Sequence, residues 1–109
     1  ISFALDGDLY ALTENGKVLK YSAGVEQLFT IQGLDPVLES PTQIETKSEF
    51  ANIYILEPSK KRIIVLDKNG NFKKQFQSDT WINPTGFAIT DTEKEAYVLD
   101  GTTVYKFKL

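Results

Sequence analysis

The chain has 109 residues, with 12 Lys and Arg against 15 Asp and Glu, hence a net charge of −3, and it contains no His, Cys or Met. Those absences exclude a Cys/His zinc site, a Ser-His-Asp triad, a Cys-His dyad and any disulfide, and without an initiating Met the segment reads as a processed piece or a cut from something larger. A mildly acidic chain gains nothing from counterion release on nucleic acid, and no apolar run approaches the ~18–20 residues of a membrane span, so neither partner is expected.

Helical periodicity is nearly absent. Short apolar runs, rich in β-branched and aromatic residues, are cut by turn signals about every eight to twelve residues, which is the all-β pattern. The first expected strands are Ile1–Leu5, Leu9–Thr13, Lys17–Ser22 and Glu26–Ile31. Next come Gln43–Thr46, Asn52–Glu57, Arg62–Asp67 and Asn71–Gln77. Gly86–Thr90, Glu95–Asp100 and Thr103–Lys108 complete eleven. Asn15-Gly16, Asn69-Gly70 and Asp100-Gly101 supply the residues that tolerate φ > 0 in tight hairpins. Leu34–Ser40, which contains Asp35-Pro36, is the longest connection, with room for a single helical turn. Ile53–Leu56 and Ile63–Leu66 are apolar at every position, so their sheet is covered on both faces and sheets must stack.

The sequence repeats itself. Pro41-Thr42 recurs 43 residues later as Pro84-Thr85, and the same offset lays Ile53–Glu57 over Ala96–Asp100. With a shorter loop, Arg62–Leu66 lies over Thr103–Phe107. The amino-terminal part fits the same template: Ser2–Leu5 matches Gly86–Ile89, Leu9–Thr13 matches Ala96–Asp100, and Lys17–Tyr21 matches Thr103–Phe107. A Tyr followed two residues on by Leu marks the second strand of every unit, as Tyr10/Leu12, Tyr54/Leu56 and Tyr97/Leu99. A period of this length with short strands is the signature of a β-propeller blade.

The stretch Lys61–Phe76, with Asn52–Ile55 before it and Pro84–Ala88 after it, resembles an NHL-type blade. In that family a basic residue and Ile open the third strand, an Asp closes it, and Asn-Gly turns into the outer strand. Arg62-Ile63, Asp67 and Asn69-Gly70 match. The first repeat lacks the Arg-Ile opening and has Ser22 in place of the Asp, and the Gly-His and Trp-Asp signatures of WD repeats are absent. The resemblance implies a partial propeller of four-stranded antiparallel blades over residues 1–40, 41–83 and 84–109, the last lacking its outer strand. Propellers of this kind often end so, with the amino terminus of the whole domain supplying the missing strand. Leu109 then reads as an end and Ile1 as an internal cut. A closed ring needs at least ~4 blades, so an open arc leaves apolar faces wet and a bare edge at Thr103–Lys108. Further blades of a longer chain, or a second copy, would close it.

Three patterns bear on chemistry. Asp6-Gly7-Asp8 stops short of a calcium loop and reads as a hairpin turn. Lactonase-type propellers hold a metal in the central channel, where this segment offers Glu45, Thr46 and Thr90, too few for a divalent site. Lys60-Lys61-Arg62 and Lys73-Lys74, with Phe72 and Phe76 interleaved, resemble the RNA face of some NHL propellers but read better as a solvated edge kept from aggregating by lysine. Trp81 lies between the outer strand of the second repeat and the inner strand of the third. It is a hot spot if exposed, although packing between blades is the favoured placement.

The best-fitting function is a non-catalytic binding or scaffolding segment, acting on a protein partner, on further blades or on copies of itself. The candidate binding residues are on the rim: Glu57, Ser59, Lys60, Asp79, Trp81, Asn83 and Asp100. No cofactor and no metal ligand is expected. A fragment of a metal-dependent lactonase or lyase and an RNA-binding propeller are the alternatives. The compartment stays open, since a lack of Cys fits more than one.

Overall fold

Turn chemistry sets where strands stop. In the computed structural model, which describes residues 1–109, the Asp67 carboxylate accepts the N–H groups of Asn69 and Asn71 at 2.8 and 3.0 Å. Gly70 then takes φ +92, and a Cβ there would lie 2.4 Å from the Thr30 carbonyl oxygen. The backbone angle and the close approach both require glycine.

Eleven strands pair antiparallel in three sheets, the number expected from the sequence. The first sheet holds β1 (Ser2–Leu5), β2 (Leu9–Leu12), β3 (Val18–Ser22) and β4 (Val25–Gln27) in that spatial order. The second holds β5 (Gln43–Glu45), β6 (Asn52–Glu57), β7 (Arg62–Asp67) and β8 (Phe72–Gln77). The third has only β9 (Pro84–Ile89), β10 (Glu95–Asp100) and β11 (Thr103–Lys108). The three pack into a body of 40 × 28 × 23 Å.

Three local expectations are corrected. The strand expected over Glu26–Ile31 shortens to Val25–Gln27. Beyond it Phe29 sets its ring edge-on to Tyr10 at 5.8 Å, and the Gln32 N–H bonds Gly70 O at 2.9 Å. Phe29 and Ile31 thus seal the gap between two sheets rather than extending one. The strand expected from Gly86 starts at Pro84, a first position where a missing N–H is tolerated. The connection over Leu34–Ser40 forms bends and no helical turn, because Leu34 and Leu38 are drawn into the core.

Period-2 alternation divides the middle sheet between two cores. Ile53, Ile55, Ile64 and Leu66 join Tyr10, Leu12 and Val18 of the first sheet. Tyr54, Leu56, Ile63 and Val65 join Phe87, Ile89, Ala96 and Val98 of the third. Each fully buried aliphatic side chain stabilises by roughly 1.5–3 kcal/mol. This is why the two middle strands are apolar throughout. First strands of neighbouring sheets are tied by side chains at one repeat position. Ser2 Oγ accepts the Ile44 N–H at 3.2 Å, and Gln43 bonds the N–H and C=O of Phe87 at 3.2 and 2.9 Å.

Candidate functional site

Of the residues expected on the rim, Ser59, Asp79 and Asn83 are exposed and Lys60 is half-buried. Glu57, Trp81 and Asp100 are buried. The Glu57 carboxylate accepts the N–H groups of Glu39 and Ser40 at 2.7 and 3.0 Å, and Arg62 Nε at 2.9 Å. Asp100, 43 residues on, accepts those of Ile82 and Asn83 at 2.9 and 2.8 Å. One device is therefore used twice. The acid that ends the second strand of a sheet clamps the connection leading into that sheet, giving its buried N–H groups acceptors. The shared acidic position was visible in the repeat, but its long-range acceptor role was not. Burial opposes ionisation of Glu57, yet the donors from Glu39, Ser40 and Arg62 outweigh it and hold the carboxyl below its usual range.

Arg62 departs most from the expected solvated basic edge. Its guanidinium is buried, donating to Glu57, to Gln75 Oε1 at 3.1 Å and to the Pro36 carbonyl at 2.8 Å. Lys60 pairs with Glu39 at 2.7 Å, and Lys73 donates to Asn52 Oδ1 at 3.1 Å. Trp81 lies between the second and third sheets, tilted against Phe107 at 6.1 Å. It is 4% exposed. Asp6-Gly7-Asp8 forms a turn in which the Asp8 N–H donates to Asp6 Oδ1 at 3.1 Å, and Lys68 pairs with Asp6.

The polar side chains offered to a channel are mostly spent on the chain. Thr46 donates to the Asn52 carbonyl at 2.9 Å and Thr90 to that of Glu95 at 3.1 Å. Glu45 stands apart: its Oε2 is buried without a partner, and burial pushes its carboxyl up. No group of three or more His, Cys, Asp or Glu side chains is placed to hold a metal ion.

The outward faces of the end sheets carry large exposed apolar side chains. In the first, Phe3, Ala11 and Leu19 form one cross-strand row and Leu5, Leu9 and Tyr21 another. In the third, Tyr97 stands between Ala88 and Lys106, whose ammonium pairs with Glu95 at 3.5 Å, and Leu99 stands beside Val104.

No protein-family model matches the chain, and no curated protein does. Solved structures do match. The chain superposes on a β-propeller chain in the crystal structure of a nidogen/laminin complex with a TM-score of 0.73 and 18% identity. The match covers 99% of this chain and 43% of that one. The fold is a partial β-propeller.

The sheets are accordingly blades, and their equivalent positions can be compared. Tyr54 and Leu56 of the middle blade are 2% and 0% exposed, whereas Tyr97 and Leu99 of the third are 39% and 43% exposed. Phe87 and Ile89 are each 7% exposed, whereas Phe3 and Leu5 of the first blade are 71% and 62% exposed. Residue type does not separate the members of each set. What separates them is whether a neighbouring blade covers the face. The sequence anticipated wet faces on an open arc, but the side chains that form them emerge only once the cores are assigned.

Proposed function

We propose that this chain is a non-catalytic binding and scaffolding segment of an NHL-like propeller, with blades at 1–40, 41–83 and an incomplete 84–109. Its end faces engage protein, either further blades, copies of the chain or a separate partner. The carrying observation is the pair of uncovered apolar faces. Phe3, Leu5, Tyr97 and Leu99 hold positions that are core elsewhere in the molecule. Large exposed apolar patches mark protein contact sites. The match to a propeller found in a nidogen/laminin complex supports a protein partner. The Arg62-Ile63, Asp67 and Asn69-Gly70 pattern supports the NHL likeness. The mechanism is rigid presentation: packed sheets hold the faces with little freedom to lose on binding.

Light scattering over a wide concentration range tests the reading. The expected result is reversible association to at least twice the chain mass. A soluble monomer at every concentration, with its end faces bare, would contradict it.

A further inference from the structure

Two hairpin turns of the chain share one backbone pattern and differ in the side chain that opens them. Between β2 and β3 the Thr13 N–H bonds the Lys17 carbonyl at 2.9 Å, and the Gly16 N–H bonds the Thr13 carbonyl at 3.2 Å. Between β7 and β8 the Asp67 N–H bonds the Asn71 carbonyl at 2.9 Å, and the Gly70 N–H bonds the Asp67 carbonyl at 3.1 Å. The two glycines take φ +86 and +92. In each turn an exposed asparagine, Asn15 or Asn69, stands directly before the glycine. Such a pair is chemically labile, because no side chain hinders the glycine nitrogen from closing on the asparagine amide.

The opening residue sets the electrostatics at that amide. The Thr13 hydroxyl donates to Asn15 Oδ1 at 2.5 Å, the nearer of its two acceptors, the other being the Lys17 carbonyl at 3.3 Å. The Lys17 N–H donates to the same hydroxyl at 3.1 Å, which strengthens it as a donor. Asp67 offers the reverse. Its carboxylate accepts the Asn69 and Asn71 N–H groups at 2.8 and 3.0 Å and has no proton to give. Hydrogen bonds from Asn71 hold its pKa below the ordinary carboxylate value.

We infer that Asn15 is a self-modification site, where Gly16 converts the asparagine into aspartate and isoaspartate, and that Asn69 is not. The Gly16 nitrogen gives its proton to solvent and bonds to Asn15 Cγ. Negative charge gathers on Oδ1, where the Thr13 hydroxyl stabilises it. The Cγ–Nδ2 bond breaks, and ammonia leaves with a proton taken from water. The succinimide that remains is opened by water at either carbonyl. At Asn69 the same charge would develop beside the Asp67 carboxylate, which disfavours it. Asp6 and Asp100 also precede glycines, but both are engaged as carboxylates, Asp6 by Lys68 and Asp100 by the Ile82 and Asn83 N–H groups.

The product alters the rim. Isoaspartate lengthens the backbone beside Gly16, where a Cβ would lie 2.6 Å from the Leu38 carbonyl oxygen. The turn that braces the connection over Leu34–Ser40 loosens, and a negative charge is added next to Glu14. The inference goes beyond the protein-binding reading and does not depend on it.

Incubation of the whole chain at neutral pH, with peptide mapping by mass spectrometry, follows both asparagines at once. Asn15 should convert at least about tenfold faster than Asn69, and isoaspartyl methyltransferase should label the peptide that holds it. Thr13→Val keeps the shape of the side chain but removes the donor, and it should slow conversion at Asn15 about two- to tenfold. Thr13→Ser should restore the original rate. Thr13→Asp, which copies the other turn, should bring Asn15 down to the rate of Asn69. A purely structural role for Thr13 gives the opposite sign, since loosening the turn frees Gly16 to attack.

Conversion of Asn69 as fast as Asn15 overturns the inference, and that comparison needs no substitution. So does a Thr13→Val protein, folded by circular dichroism, that converts at the original rate or faster.

Discussion

The middle blade and the third blade carry the same side chains to opposite fates. Tyr54 and Leu56 are sealed between sheets, while Tyr97 and Leu99, 43 residues later, are half open. The Tyr/Leu pattern makes a face that can be packed, and a neighbouring blade decides whether it is core or surface. Nearest-neighbour stacking of this kind is how repeat architectures gain stability.

The largest expected effect breaks the clamp of the middle blade. Glu57→Ala leaves the buried Arg62 guanidinium without its carboxylate, and it should cost about 3–5 kcal/mol in urea unfolding. The matching change in the third blade, Asp100→Ala, frees two backbone N–H groups but strands no buried cation. It should cost about 1–3 kcal/mol.

Truncation of the repeated leucine sharpens the contrast. Leu56→Ala should destabilise by about 2–5 kcal/mol. Leu99→Ala, measured at low protein concentration where the end face is free, should cost about 1 kcal/mol or less. Equal losses would mean that the two positions are packed alike.

Acidity acts on the same contrast. The folded-state carboxyl of Glu57 titrates below its ordinary value of 4.5. Its stabilising contribution is therefore complete above that ordinary value and is lost as pH falls through the lower folded one. Unfolding free energy measured against pH should show this loss, and Glu57→Gln should flatten that part of the profile. Glu45 behaves in the opposite sense, because burial raises its pKa. Glu45→Gln should stabilise at neutral pH by about 0.5 kcal/mol, the smallest of these changes.

Much of this fold could be read from local signals. Asn-Gly and Asp-Gly pairs mark hairpins, and the unbroken runs at Ile53–Leu56 and Ile63–Leu66 require cover on both faces. The offset between Pro41-Thr42 and Pro84-Thr85 sets the repeat. Long-range roles were not legible. Nothing near Arg62 in sequence shows that it will meet the Pro36 carbonyl, and the doublet of lysines before it suggests a solvated edge instead. Glu57 and Asp100 sit at hairpin ends, where acids are ordinarily exposed. Their burial follows from backbone N–H groups 17 or 18 residues away. Phe29 and Ile31 prolong an apolar strand pattern, but the gap between sheets draws them off.

The central claim is that one repeat position is core in the middle blade and interface at the end. Leu99→Glu, followed by light scattering and circular dichroism, tests it most directly. The account expects a folded protein that no longer associates, while Leu56→Glu unfolds the chain. Undiminished association of Leu99→Glu, or its unfolding to the same degree as Leu56→Glu, would contradict the claim.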